Sequence, residues 1–366
     1  MKRCLCILSS LDAGGAETFL MKLYRVLPSD RYQFDFVVSK ENGCYTREVV
    51  ERGGKIYFIP TRTKHPIRAF CGIRSAVKDN QYDYVLKLGE NSLAVVDLIA
   101  ARWGDARVVA LRACNAPAGL GLLSRTIHAM LRPILNGVAT VRIAPSQLAA
   151  DFMFGKRADV HLLHNGVDLD KFRYDPQGRD AIREEFDLQD KLVIGHVGRF
   201  HKQKNHLYLL EVFREISIRR EDAMLLLVGT GEDQDLICSR IQALGLENKV
   251  IRAGQRFDIP RLLSAMDVFV FPSLHEGMPN TVIEAQATGL PCVIADTITR
   301  EANLTGLVQY LPLSETVSPW AEAALAAAAL PRRDTAEEFR AQGYDIQSVA
   351  KEFVTLLGMA GDTAKS

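Results

Sequence analysis

Three groups of residues in this 366-residue chain have the types and spacing that chemistry needs. The first is Glu276-Gly277-Met278-Pro279-Asn280-Thr281-Val282-Ile283-Glu284, in which two carboxylates stand eight positions apart. The apolar run 268 to 271 before it reads as a strand, and the residues up to Gly289-Leu290-Pro291 read as a helix. Glu276 then falls in the loop and Glu284 about a turn into the helix, so the two meet a ligand at different points along its length. A carboxylate accepts two hydrogen bonds at once and suits neighbouring sugar hydroxyls. The amides of Gly277 to Thr281, at a helix start, suit a sugar or a phosphate. Helix capping and solvation are the plain alternative for an isolated Glu pair.

The second group is Arg199 and Lys204. The strand 192 to 197 leads through Gly198 to Arg199, and Lys204 follows just before Asn205-His206-Leu207 open an amphipathic helix. Both cations therefore stand at the carboxyl edge of a sheet, where a guanidinium fork and an ammonium can jointly neutralise a leaving diphosphate. The third group is Gly14-Gly15, between a first strand and a helix carrying Phe19, Leu20, Leu23 and Leu27. Glycines at such a turn let the backbone approach an anion while the helix N-terminus offers N–H groups. A tight turn needs glycine anyway, and the wider glycine spacing of a dinucleotide fingerprint is missing, which argues against a nicotinamide dehydrogenase.

The elements that must position these groups alternate in a simple way. Short runs rich in Val, Ile, Leu and Phe alternate with amphipathic stretches of ten to fifteen residues, the pattern of strands and crossover helices in parallel sheets. One set of strands is expected at 3–8, 33–38, 55–59, 83–88, 107–111, 140–144 and 160–163, and a second at 192–197, 224–228, 249–252, 268–271 and 292–295. Between the sets lies His164-Asn165-Gly166-Val167-Asp168, followed by Asp175, Pro176 and Gly178, turn-forming residues without periodicity. The expected fold is α/β: two doubly wound, Rossmann-like domains, 1–168 and 175–345, with a ligand cleft between them at the carboxyl ends of the strands. A last helix, about 346–362, is expected to pack back on the first domain.

Bulk properties narrow the class. The chain is 48% hydrophobic and 24% charged, as in ordinary globular proteins, and no apolar run approaches the roughly 20 residues that cross a bilayer. Residues 1–11 read as a strand rather than a signal peptide, so a cytoplasmic location is expected. The seven cysteines show no metal-ligand spacing and read as reduced, buried small hydrophobes. Residues 1–170 hold 23 Lys and Arg against 16 Asp and Glu, and the remainder 22 against 28. A cationic first half suits a phosphorylated acceptor or an acidic membrane surface, or is a solvated face. Nucleic acid is not an expected partner.

The motifs together resemble a family 4 glycosyltransferase of the GT-B fold, similar to those that assemble bacterial exopolysaccharides, capsules and O-antigen-type chains. The resemblance rests on Gly14-Gly15-Ala16-Glu17, His164 to Asp168, Gly195-His196-Val197-Gly198-Arg199 with Lys204, Val228-Gly229-Thr230-Gly231, and Glu276 to Glu284 with Ala285, Gly289 and Pro291. These occur in the expected order and span essentially the whole chain. The resemblance implies a retaining transfer of a hexose or N-acetylhexosamine from a nucleotide sugar, by default a UDP-sugar, to a saccharide or polyprenyl-diphosphate-linked acceptor. It implies that the first domain takes the acceptor and the second the nucleotide sugar. It places Gly15, beside Gly14, near the donor phosphate, Arg199 and Lys204 on the diphosphate, Glu276 on the transferred sugar and Glu284 on the ribose. Gly277 to Thr281 line the donor. It implies no cofactor and no metal ion, the two cations taking that part. Asp168-Leu-Asp170 and Asp233-Gln-Asp235, the nearest to an acidic metal site, read as solvated carboxylates.

One departure from the family pattern stands out. Relatives often carry a histidine after the fifth strand, near the reacting sugar, where this chain reads Leu111-Arg112-Ala113-Cys114-Asn115. Either Arg112 or Asn115 positions the reactants, or the departing phosphate itself accepts the acceptor proton. The eight histidines read as packing, hinge or solvent residues, with His275 set apart because it precedes Glu276. The stretch 119–136, apolar on one side and carrying Arg125 and Arg132, reads as a core-packing helix or as one lying on the inner membrane face, with Arg62, Lys64, Arg68 and Arg74 adding charge. A nucleotide-sugar epimerase, a phosphorylase and a catalytically silent nucleotide-sugar-binding subunit are the competing functions. An epimerase needs no acceptor, and a silent subunit binds donor without turnover.

Overall fold

The computed structural model describes residues 1–12, 14–114, 121–156, 158–313 and 316–360. Two compact units result: residues 1–166 with 343–366, and residues 167–342. Each is a parallel sheet wrapped by helices.

In the first unit the strands are β1 (Lys2–Ile7), β2 (Tyr32–Val38), β3 (Ile56–Phe58), β4 (Tyr84–Gly89), β5 (Val108–Ala113), β6 (Val141–Ala144) and β7 (His161–Leu162). Its helices are α1 (Gly15–Val26), α2 (Thr46–Glu51), α3 (Pro66–Asp79), α4 (Val95–Trp103), α5 (Leu122–Val138) and α6 (Gln147–Met153). The strand order is β3-β2-β1-β4-β5-β6-β7, all parallel. Side chains alternate across a strand, so β1 feeds two cores. Cys4 and Cys6 join Phe19, Leu23 and Phe34 on one face, while Leu5 and Ile7 join Ile73, Leu98 and Leu135 on the other.

The second unit contains α7 (Pro176–Glu185), β8 (Leu192–Val197), α8 (His206–Arg219), β9 (Ala223–Val228), α9 (Gln234–Ala243), β10 (Val250–Gly254), α10 (Ile259–Ala265) and β11 (Val268–Phe271). It continues with α11 (Asn280–Ala287), β12 (Cys292–Ala295), β13 (Val308–Leu311), α12 (Ser318–Ala328) and α13 (Ala336–Ala341). The order is β10-β9-β8-β11-β12-β13, again parallel. Strand β13 was not expected from the sequence: it is four residues long, includes Gln309, and pairs only with β12 at the sheet edge.

The last helix, α14 (Ile346–Leu356), lies in the first unit against α1. Phe353 meets Phe19 and Phe34 edge-on, with ring centres 6.5 and 5.9 Å apart. His164 stacks on Tyr344 at 4.2 Å, and Gly166 lies so close to Ile346 that a Cβ would stand 2.7 Å from its Cδ1. Two cysteines depart from the expected burial: Cys44 and Cys71 are exposed, one in the loop before α2 and one on α3.

Candidate active site

A doubly wound sheet offers a ligand crevice where the strand order reverses, because the loops on either side of that point leave in opposite directions. In the second unit the reversal lies between β8 and β11. Lys204 follows β8 and Glu276 follows β11, and Lys204 Nζ donates to Glu276 Oε1 across 2.7 Å. Three hydrogen bonds hold their loops together. Asn205 Nδ2 donates to the Pro272 carbonyl (3.2 Å), Gln203 Nε2 to the His275 carbonyl (2.7 Å), and the Leu274 amide to the Gln203 carbonyl (2.8 Å). The turn between Lys204 and α8 needs a left-handed residue, and Asn205 supplies it with φ 56°.

The Lys204 ammonium also stands 4.6 Å from the centre of the Phe271 ring, whose π face attracts a cation. Lys204 and Glu276 keep 18% and 11% of their side-chain exposure, enough for a ligand to reach them and little enough that water screens them weakly. Beneath Lys204 lie two buried imidazoles. His196 Nδ1 bonds the Val270 carbonyl at 2.9 Å, and the His206 ring packs 4.8 Å away. Burial first, then the nearby Lys204 charge, pushes His206 down to about 4; burial and His206 hold His196 well below its usual value. Both rings are neutral at pH 7, so Lys204 is the cation here.

Arg199 is placed differently. Its guanidinium pairs with Glu232 at 3.0 Å and is 71% exposed. His201 Nε2 approaches the other Glu232 oxygen at 3.4 Å. The loop after β8 is laced to the loop after β9: the Phe200 amide donates to the Thr230 carbonyl, and the Asp233 amide to the Phe200 carbonyl. Only glycine fits such an approach, since a Cβ on Gly229, at φ +139°, would stand 2.1 Å from the Gly198 carbonyl oxygen. Arg199 and Lys204 thus share one loop and not one partner.

Helix α11 begins at Asn280 behind Pro279, with no side-chain cap. Gly277 and Met278 lie in the loop before it, and Thr281 and Glu284 on its first turns, Glu284 half-buried. Ser273 Oγ and Thr281 Oγ1, on either side of Glu276 in the chain, are buried hydroxyls with no hydrogen-bond partner. His275 is exposed.

In the first unit Gly14 caps α1 in an extended conformation, and nothing lies within 4 Å of where a Gly15 Cβ would stand. Arg112 is wholly buried on β5, stacked 3.7 Å over the Phe19 ring and bonded to Asn165. Burial pulls it down to about 10, still charged at pH 7. Asn115 lies outside the described residues. Cys114 is pushed up to about 11 by burial, so it stays a thiol. Among the described residues no group of three His, Cys, Asp or Glu side chains could hold a metal ion.

Two Rossmann-like units, built on parallel sheets of seven and six strands wrapped by helices, give the chain the GT-B architecture. Residues 191–329 match the family described as glycosyl transferases group 1, and residues 13–171 match glycosyltransferase family 4. The chain is 35% identical over 362 residues to the putative glycosyltransferase EpsF of Bacillus subtilis, covering 94% of each chain. It is 26% identical over 299 residues to an Escherichia coli UDP-Gal:alpha-D-GlcNAc-diphosphoundecaprenol alpha-1,3-galactosyltransferase, covering 77% of this chain and 76% of that one. Its fold matches that of Anabaena HepE in complex with UDP at a TM-score of 0.77, with 19% identity, over 98% of this chain and 100% of that one. This protein belongs to glycosyltransferase family 4.

Sequence reasoning named both ends of the Lys204–Glu276 pair but not what holds it. Phe271 reads as strand and Asn205 as a helix start, and Gln203 and Glu232 carry no signal, because their contacts are made between loops far apart in sequence.

Proposed function

We propose that the protein moves a hexosyl or N-acetylhexosaminyl group from a UDP-sugar to a saccharide carried on a polyprenyl diphosphate, retaining the anomeric configuration and using no metal ion. The observation that carries this reading is the Lys204–Glu276 contact at the switch point of the second sheet. An incoming diphosphate competes for the ammonium; as it takes Lys204, the Glu276 carboxylate is released to accept hydrogen bonds from two sugar hydroxyls. Arg199, exposed on the adjoining loop, adds a second positive charge. The two replace the divalent cation that other sugar transferases place on the leaving group.

The orphaned Ser273 and Thr281 hydroxyls support a polar ligand here, since a buried hydroxyl without a partner costs roughly 1–3 kcal/mol. Glu284 is assigned to the ribose and the Gly277–Thr281 segment to the donor. The open space over Gly15 supports an anion contact at the start of α1, since no protein atom there demands a glycine.

In the transfer, the bond from the anomeric carbon to the β-phosphate oxygen breaks as the acceptor oxygen bonds the same face of that carbon. The acceptor proton passes to the departing phosphate, which needs no protein base. That route fits Arg112, which is buried under Phe19 and turned to Asn165. The UDP-sugar and the diphosphoundecaprenol acceptor in the name of the Escherichia coli relative, and the UDP bound by HepE, support the choice of donor and acceptor.

The test is a thermal-shift panel of UDP-, GDP- and ADP-sugars in EDTA, followed by transfer assays with and without magnesium. A UDP-sugar should raise the melting temperature, and transfer should proceed in EDTA to a product of retained configuration. Silence across the whole panel, or transfer abolished by EDTA and restored by magnesium, would overturn the reading.

A further inference from the structure

Strands β8 and β11 flank the switch point, yet they part sooner than β8 and β9 do. They pair at two positions, Ile194 with Val268 and Gly195 with Phe269. Strand β8 stays paired with β9 at six, as far as Val197 with Val228. The position where β8 and β11 separate is His196 beside Val270. A parallel ladder continued there would give the Val270 carbonyl a backbone amide. It receives a side chain instead, since His196 Nδ1 lies 2.9 Å from it. A carbonyl only accepts, so Nδ1 carries the hydrogen; the ring is neutral, so Nε2 is a bare acceptor.

His196 is wholly buried and stacks on Phe271, ring centres 5.4 Å apart and planes 20° apart. Phe271 in turn receives the Lys204 ammonium 4.6 Å from its centre. His196 Nε2 has no hydrogen-bond partner among the described residues and lies 3.1 Å from where a Gly198 Cβ would stand; Lys204 Cε is 3.3 Å from the same point. One imidazole therefore holds the strand end that leads to Glu276 and lies beside the stem of Lys204. His206, edge-on at 4.8 Å, and Lys204 are the titratable groups that face it, and Phe269 and Phe271 are the rings.

We propose that His196 is a positioning residue for the transfer: its Nδ1–H takes over the rung that β8 and β11 lack, and so fixes the gap across which Lys204 and Glu276 meet the diphosphate and the sugar. It touches neither substrate and acts through Phe271 and Lys204. A backbone rung would close the two strands together at this position, whereas an imidazole spans a wider gap and still ties them. Were the ring only filling space, its bond to Val270 would be incidental. The inference rests on the donor site proposed above and adds a residue to it.

Two variants separate positioning from packing. His196→Asn puts an amide N–H where Nδ1 stands and removes the ring, while His196→Phe keeps a ring and removes the donor. With UDP-sugar and acceptor, His196→Phe should lower kcat by about 30-fold with acceptor KM unchanged, because a small displacement of a group in the site is costly. His196→Asn should stay within about 3-fold of wild type, although it melts at a lower temperature for want of the ring's contacts. Packing alone gives the reverse order, the phenyl ring harmless and the amide harmful, and that result would overturn the proposal. In a Lys204→Ala background His196→Phe should cost less than about 3-fold more, since it acts through Lys204; an undiminished loss there would overturn it as well.

A second measurement uses the unaltered, ligand-free chain and needs no turnover. The nitrogen-15 spectrum of its histidines, with His196 assigned by its loss in either variant, should show Nδ1 protonated and Nε2 bare from about pH 8 to about pH 6. A proton on Nε2, or titration at the ordinary histidine value, would refute the rung. Failure of the wild type to release UDP from any UDP-sugar would instead overturn the reaction proposed above, and the tautomer still decides the role of His196.

Discussion

Lys204 and Glu276 are 72 residues apart in the chain, yet their charged atoms are 2.7 Å apart. Adjacent strands β8 and β11 bring their loops to one crevice, and the Gln203 and Asn205 side chains tie the loops together. In the proposed reaction a diphosphate competes with Glu276 for this one ammonium, and it is the stronger competitor because it offers more charged oxygens.

Removing either partner should be severe. Lys204→Ala and Glu276→Ala should each lower turnover by roughly 100-fold or more, since in the proposed reaction Lys204 meets the charge that develops on the leaving group and Glu276 orients the transferred sugar. Measured as UDP release at saturating donor, near-normal turnover in either variant would refute its role. The double variant should lose much less than the sum of the two, as for residues that act as a unit.

The buried imidazoles make stability depend on pH. His206 lies at about 4 in the folded protein against an ordinary 6.5, and a depressed histidine stabilises the fold while neutral. That contribution is complete above about pH 6.5 and is lost as pH falls towards 4, amounting to about 2 kcal/mol by pH 5. His196 is shifted the same way and steepens the loss. Urea unfolding of wild type and His206→Leu between pH 7 and pH 5 checks this. The variant should lose less on acidification, and equal losses would show that His206 is not buried neutral.

Gly229 separates steric from conformational effects. Gly229→Ala meets both a positive φ and a carbonyl 2.1 Å from the new Cβ, so it must spread the laced loops that carry Arg199 and Glu232. Gly245→Ala meets a positive φ in open space and should cost only about 1 kcal/mol. Donor affinity by calorimetry should fall clearly in the first and hold in the second; equal affinities would show that the lacing does not matter.

A stability determinant lies in the first unit, where Asp35 is fully buried on β2. It accepts from Arg3, from the Tyr82 hydroxyl at 2.7 Å and from the Lys55 amide at 2.7 Å. Asp35→Ala should destabilise the protein by about 3 kcal/mol, because three donors lose their acceptor at once. Denaturant midpoints read this directly, and a loss below about 1 kcal/mol would contradict the network.

Most of the framework was legible without coordinates. Parallel strands buried on both faces are largely apolar, and so β1, β2, β4, β5, β8, β9, β11 and β12 stand out as runs such as Val268–Phe271, even where β2 buries Asp35 and β5 buries Arg112. Strand β13 escaped because an edge strand buries less and tolerates Gln309. Gly14-Gly15, Arg199, Lys204 and the Glu276–Glu284 segment were legible because a strand-to-helix turn puts whatever follows a strand at the sheet's carboxyl edge.

Which of those residues meet was decided only by the tertiary structure. The sequence alone could set Arg199 and Lys204 side by side, five residues apart. The fold instead gives Arg199 to Glu232 and Lys204 to Glu276, because β8 is flanked by β9 on one side and β11 on the other. Periodicity reports which face of an element is buried; it is silent on which element lies next to it. Neighbours in a sheet are chosen by long-range pairing, and it is neighbours that turn separate polar side chains into a site.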